Sequence, residues 1–109
     1  MDAFELSNLI KQQQQSGNSY LEFLRVPSMS MGLYALPAGA VDTQQPHTED
    51  EVYYVASGRG QIRVRDEDQP AQAGSVVFVD AGVKHYFHSI TEDLVILVFF
   101  APAEYSQQS

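Results

Sequence analysis

From residue 20 to residue 100 apolar and polar residues alternate with a period of two, in short runs separated by Gly, Pro, Asp and Ser. Successive side chains of an extended strand point to opposite faces, so this period marks strands buried on one side. The runs predict strands over residues 20–26, 29–36, 51–56, 61–65, 75–79, 86–90 and 94–100. Pro27 ends the first, and Pro37-Ala38-Gly39 ends the second. Ser57-Gly58-Arg59-Gly60 and Asp80-Ala81-Gly82 read as turns, and the polar stretch 66–72, which contains Pro70, as a loop. Short strands at even spacing, with no helical pattern between them, predict an all-β sandwich or barrel lined by Phe78 and Phe87.

The first 19 residues follow a different rule. Asp2 and Glu5 have the spacing of a capping box, and Phe4, Leu6, Leu9 and Ile10 form an apolar stripe, which predicts a short helix. The run Gln12 to Gln15, followed by Ser16-Gly17-Asn18, reads as a solvated helix end and linker. The expected division is thus a helix and linker over 1–19 and a β domain over 20–109. At the other end, Leu94-Val95-Ile96-Leu97-Val98-Phe99-Phe100 is apolar on both faces, so both faces call for cover. An inner strand of the barrel satisfies this, and so does burial against a second subunit.

A chain of 109 residues has the size of one domain with a modest core. Its formal charge of −8 excludes the clustered cations that nucleic-acid phosphates or an anionic membrane surface require. A small anionic ligand stays open, because a bound metal reverses the local field. With no Cys, neither disulfides nor thiolate metal sites are available. The N-terminus lacks the basic start and apolar run of a signal peptide, and no stretch has the length of a membrane span, so a cytoplasmic protein is expected.

The chemistry gathers in the stretch from Gly39 to Gly58. Read as an extended strand, it puts Gln45, His47, Glu51, Tyr53 and Val55 on one face. An imidazole and a carboxylate aimed at an apolar interior suit a first-row divalent metal. A third donor, His85, opens the strand after the Gly82 turn. Two His and one Glu are the donor set of a facial triad, which leaves positions on the metal open for substrate.

These two segments resemble the paired motifs of the cupin superfamily, G-x5-H-x-H-x3,4-E-x6-G and G-x5-P-x-G-x2-H-x3-N. Here they stand as Gly39-x5-Gln45-x-His47-x3-Glu51-x6-Gly58 and Gly74-x5-Asp80-x-Gly82-x2-His85-x3-Ser89, with every spacing kept. The resemblance implies a small single-domain cupin: a double-stranded β-helix, or jelly roll, holding a divalent Fe, Mn, Ni or Zn ion and pairing into a homodimer. Residues 94–100 and 20–26 are the candidate dimer contacts. His47, Glu51 and His85 fall on ligand positions. Gln45 replaces the first histidine, either as a fourth donor, as a hydrogen-bond partner of a metal-bound water, or in a structural role.

Tyr53, on the same face, either lines the pocket as a group that orients substrate or shuttles a proton, or serves as a core tyrosine. His88 has the opposite parity to His85 and should face away. Arg59, Arg63 and Arg65 read as a solvated strand face, and Thr48-Glu49-Asp50 as a solvated turn. The leading function is a metal-dependent enzyme, dioxygenase-like, acting on a small organic molecule. A metal-dependent isomerase or lyase, and a cupin that binds or senses a small molecule without turnover, are the alternatives.

Overall fold

A computed structural model describes residues 1–44 and 46–106. Gln45, assigned above to the metal group, lies outside the described residues. A helix, α1 (Leu6–Ser16), is followed by strands β1 (Tyr20–Val26), β2 (Met29–Leu36), β3 (Asp50–Val64), β4 (Glu67–Gln72), β5 (Val76–Val79) and β6 (His85–Ala101). All pairings are antiparallel, in the order β1-β2-β6-β3-β4, with β5 also on β3. The architecture is the expected all-β double-stranded β-helix with one short N-terminal helix.

Two long strands make it so. β3 runs straight through the expected turn at 57–60, and β6 joins the two strands expected at 86–90 and 94–100. Glycine and polar residues suggested chain reversal at these points; the structure spends them on bends. The β3–β6 register shifts between Val55 and Gln61. Across that bend the buried positions of β3 change from odd (Glu51, Tyr53, Val55) to even (Gly60, Ile62). In β6, Ser89 takes a left-handed φ of 51°, and burial passes from His85 and Phe87 to Ile90, Leu94 and onward. Such bulges let one strand serve two sheets. The first half of β3 pairs with the second half of β6, and the second half of β3 with the first half of β6. The halves close on each other, with the Tyr53 and Phe87 rings edge to face at 5.0 Å.

The core is Leu36, Tyr53, Val55, Ile62, Val79, Val83, Phe87, Ile90, Leu94, Ile96, Val98 and Phe100, with Ala71. Phe87 lines it as expected; Phe78 does not, being 56% exposed. The four-residue β5 sends Val77 and Val79 inward, so Val76 and Phe78 point out. Residues 67–72 form β4 rather than a loop, because Pro70 is tolerated on an edge strand. In residues 94–100 the even positions are buried and Val95, Leu97 and Phe99 are half-buried, as in an inner strand flanked by β2 and β3.

The helix begins later than the capping-box spacing suggests. Glu5 is its N-cap residue and no side chain caps it. Leu9 alone of the apolar stripe is buried, while Phe4 packs edge to face on Phe23 of β1, with ring centroids 4.9 Å apart. Gly17, with φ 74°, ends the helix. Among the described residues no helix is long and apolar enough to cross a membrane.

The bend in β3 depends on Gly58, which has φ 96° and lies so close to the Asp93 carbonyl that a Cβ would collide with it. Gly58→Ala should cost about 3 kcal/mol or more, from positive φ and backbone collision together. Thermal unfolding should then show a Tm lower by roughly 10 °C or more. An unchanged Tm would mean that the bend is not held as described.

Candidate metal centre

The site lies where both long strands begin. Glu51 and Tyr53 point inward from the start of β3, and His85 is the first residue of β6. His47 arrives from the loop before β3 rather than from a strand, so strand parity alone does not place it. Hydrogen bonds hold that loop instead. The Asp42 carboxylate accepts from Tyr34 OH (2.6 Å), Gln44 Nε2 (2.7 Å) and the Phe87 amide (2.8 Å). The His47 carbonyl accepts from the Gly82 amide at 2.7 Å, which ties the two motif segments together.

The structure brings together three of the donors named from sequence spacing. Ligand atoms of His47, Glu51 and His85 lie within 4.8 Å of one another, and all three residues are buried. Glu51 Oε1 is 2.7 Å from His85 Nε2 and 3.2 Å from His47 Nδ1. Tyr53 OH stands 2.9 Å from His85 Nε2 and donates to Gln44 Oε1 at 3.1 Å. Burial, and then the Glu51 charge, push the Tyr53 hydroxyl well above its ordinary pKa. It keeps its proton at neutral pH and acts as a hydrogen-bonding group, not a base.

Two observations test whether a metal fits. First, Glu51 Oε2 is buried with no hydrogen-bond partner. Second, the Val83 carbonyl, 2.8 Å from His85 Nδ1, can only accept, so Nδ1 carries a proton and Nε2 is left facing the Glu51 oxygen. A lone pair facing a carboxylate at that distance is repulsive unless a cation, either a second proton or a metal ion, stands between them. The residues present fit a divalent metal.

Other site residues carried no sequence signal. Glu104, beyond β6 in the C-terminal segment, puts Oε2 3.1 Å from His47 Nε2. Its amide donates to Ser30 Oγ at 2.9 Å, and its carbonyl accepts from Arg25 Nη2 at 2.8 Å. Glu49, expected in a solvated turn, is 1% exposed and accepts from the Tyr105 amide at 2.6 Å. Beside the cluster opens a cavity of about 320 Å³, whose lining includes Tyr20, Tyr34, His47, Tyr53, Glu104 and Tyr105. Tyr20 OH is buried without a partner. No Lys or Arg lines this cavity among the described residues. Arg59 pairs with Glu92 and Arg63 with Asp68 at the surface, and His88 faces outward onto Asp68.

The comparisons with known proteins agree with this fold. A family model described as Cupin domain matches residues 32–100. The chain is a cupin. The uncharacterized protein SCO3923 of Streptomyces coelicolor is 52% identical over 104 residues, which are 95% of this chain and 99% of that protein. The structure of TT1209 from Thermus thermophilus is similar with a TM-score of 0.75 at 24% identity, over 94% of this chain and 99% of that one. The DMSP lyase DddQ from Ruegeria pomeroyi has a TM-score of 0.68 at 18% identity, over 77% of this cupin and 42% of that chain. At such identities the two structures show a shared fold.

Without metal, protons must hold the cluster. Burial alone would lower the His47 pKa, but hydrogen bonds to Glu104 and Glu51, and their charges, raise it to about 9. For His85, burial also works downward, and the Glu51 bond and charge raise it overall. Burial pushes the Glu51 pKa up, and bonds to both imidazoles bring it below its ordinary value. Raised His47 stabilises the fold fully below its unfolded value of 6.5 and loses that contribution as pH rises through about 9, and raised His85 acts in the same direction. Lowered Glu51 contributes above 4.5 and is lost as pH falls below it. The Tm of the metal-free cupin should therefore decline between pH 6.5 and about 9, while added metal, which displaces protons, should stabilise increasingly over that range. A flat metal-free profile there would count against the charged cluster.

Proposed function

We propose that this cupin binds one divalent Fe, Mn, Ni or Zn ion through His47, Glu51 and His85 and acts on a small organic molecule in the adjoining cavity. The observation that carries this reading is the convergence of two imidazoles on a buried carboxylate with one orphaned oxygen, beside a cavity. When bound, the metal would supply Lewis-acid chemistry and, as Fe, redox chemistry, at positions the protein leaves open. The donor set makes a dioxygenase-type reaction the leading proposal.

The protein's own groups have narrower tasks. Tyr53 offers a protonated hydroxyl that orients whatever reaches His85. The tyrosine rings of the cavity wall supply apolar faces and exclude water. Gln45 remains a proposed fourth donor, or a partner for metal-bound water. The test is elemental mass spectrometry on untagged protein purified without chelator. Wild type should carry nearly one equivalent of metal per chain, and His85→Ala should bind at least roughly tenfold more weakly. Oxygen uptake on a substrate panel supports the dioxygenase reading. Turnover without oxygen uptake assigns a lyase or isomerase, and ligand binding without turnover assigns a sensing role. No metal in wild type after anaerobic Fe(II) reconstitution overturns the metal reading.

We also propose that the cupin pairs with a second copy of itself. The register joins Val52 to Phe78 and Phe99, and Tyr54 to Val76 and Leu97, in one continuous outward apolar face. Val76 is 67% exposed, Phe78 56% and Tyr54 40%, more apolar surface than a strand face facing only water usually carries. In this proposal β6 contributes from residues 94–100, whereas β1 lies at the far edge with Phe23 packed against Phe4. Sedimentation should find a dimer at micromolar concentration, and Phe78→Asp should shift it to monomer. A wild-type monomer would remove the claim.

A further inference from the structure

His47 is gripped from two sides, and the two grips serve different purposes. Nδ1 faces Glu51 Oε1 at 3.2 Å, within the donor cluster. Nε2 faces Glu104 Oε2 at 3.1 Å, on the opposite edge of the ring. A neutral imidazole has one N–H and one lone pair, and a metal takes the lone pair. For His47 to join Glu51 and His85, the lone pair must be on Nδ1 and the proton on Nε2. Only an acceptor beside Nε2 holds it there.

We propose that Glu104 is the positioning residue of the metal site: its carboxylate accepts the His47 Nε2–H and so fixes the tautomer and ring plane that present Nδ1 to the metal. The inference rests on the metal reading above. His85 has the matching arrangement with the nitrogens exchanged. The Val83 carbonyl takes its Nδ1–H at 2.8 Å and leaves Nε2 for the cluster. Each histidine is thus anchored through one nitrogen and offered through the other. A carboxylate anchor also makes the imidazole a stronger donor than a carbonyl would.

Glu104 is built for this task. Its side chain is only 11% exposed. Its amide and carbonyl are bound to Ser30 and Arg25, and the next amide, of Tyr105, is bound to Glu49. The His47 ring packs near Phe100, at a centroid distance of 4.8 Å, and Tyr105, at 5.7 Å, and these neighbours restrict its rotation. A direct ligand role for Glu104 fits less well, because its carboxylate meets the edge of the ring turned away from Glu51.

The test compares Zn(II) affinity, by chelator competition, in wild type, Glu104→Leu and Glu104→Gln, with 15N NMR of His47 in the zinc-loaded proteins. Leu has no acceptor, so affinity should fall roughly 10–100-fold. Gln keeps an acceptor oxygen but is a poor ligand, so it should stay within a few-fold of wild type, with the His47 proton still on Nε2. Unchanged affinity in Glu104→Leu overturns the proposal, and so does a loss in Glu104→Gln equal to that in Glu104→Leu, which would mark a direct ligand. If Glu104→Leu does not fold, the Gln variant and the tautomer in wild type decide, and a proton on His47 Nδ1 overturns it. Failure of wild type to bind zinc overturns the metal reading and this one together. Wild-type binding with no response to Glu104 overturns this one alone.

Discussion

Glu51 Oε1 stands between His85 Nε2 and His47 Nδ1, with the residue 2% exposed to solvent. An ionised carboxylate taken out of water is strongly unfavourable unless matched positive charge and hydrogen bonds come with it. Two imidazoles provide the match, but only while protonated or while sharing a metal. Two arrangements would supply that charge: doubly protonated histidines around a carboxylate, or a divalent cation in place of protons. The orphaned Glu51 Oε2 favours the second, since protons on the histidines leave that oxygen without a partner.

The fold exists to hold those groups at the meeting of two sheets. Both long strands bend once, and the bends place the first residues of β3 and β6 in the same end of the barrel. In β3, Gly58 permits the close approach to Asp93 of β6, and within β6 Ser89 takes positive φ. The cupin motif has Asn at the Ser89 position, and a left-handed backbone gives a physical reason for that choice, because Asn tolerates it better than most residues. Phe87 and Tyr53 then pack against each other beneath the site, so the same side chains that make the core also set the height of the Tyr53 hydroxyl.

The remaining wall comes from elements distant in sequence. Asp42 fastens the loop that carries His47 to β2 and β6, and the C-terminal segment brings Glu104 and Tyr105 against the His47 ring. Glu49 in turn holds the Tyr105 amide, so an acidic bend beside the site secures the segment that closes it. Among the described residues the cavity is lined by tyrosine rings and the Glu104 carboxylate with no Lys or Arg, so a metal held by the cluster would be the strong positive charge its occupant meets.

The sequence alone determined the elements whose signal is local. Alternation and turn residues located β1, β2 and β5, and the spacing of Gly39, His47, Glu51, Gly58, Gly74, Gly82 and His85 carried the family and the donor set. It read the bend at 57–60 as a turn and broke β6 between the strands 86–90 and 94–100, because glycine and polar residues serve equally well to reverse a strand or to bulge it. Pro70 concealed β4 for a related reason: only the neighbour's position shows that its missing N–H faces an edge. Phe78 took the inside by hydrophobicity, yet the pairing of a four-residue strand turned it out. Asp42, Gln44, Glu49 and Glu104 were beyond reach, since an acidic or amide side chain in a loop reads as solvated until the tertiary fold buries it beside a partner. Two links in the site, from Glu104 to His47 and from Asp42 to Phe87, cross more than 40 residues of chain. No local pattern encodes a contact of that span; only the closure of the barrel creates it.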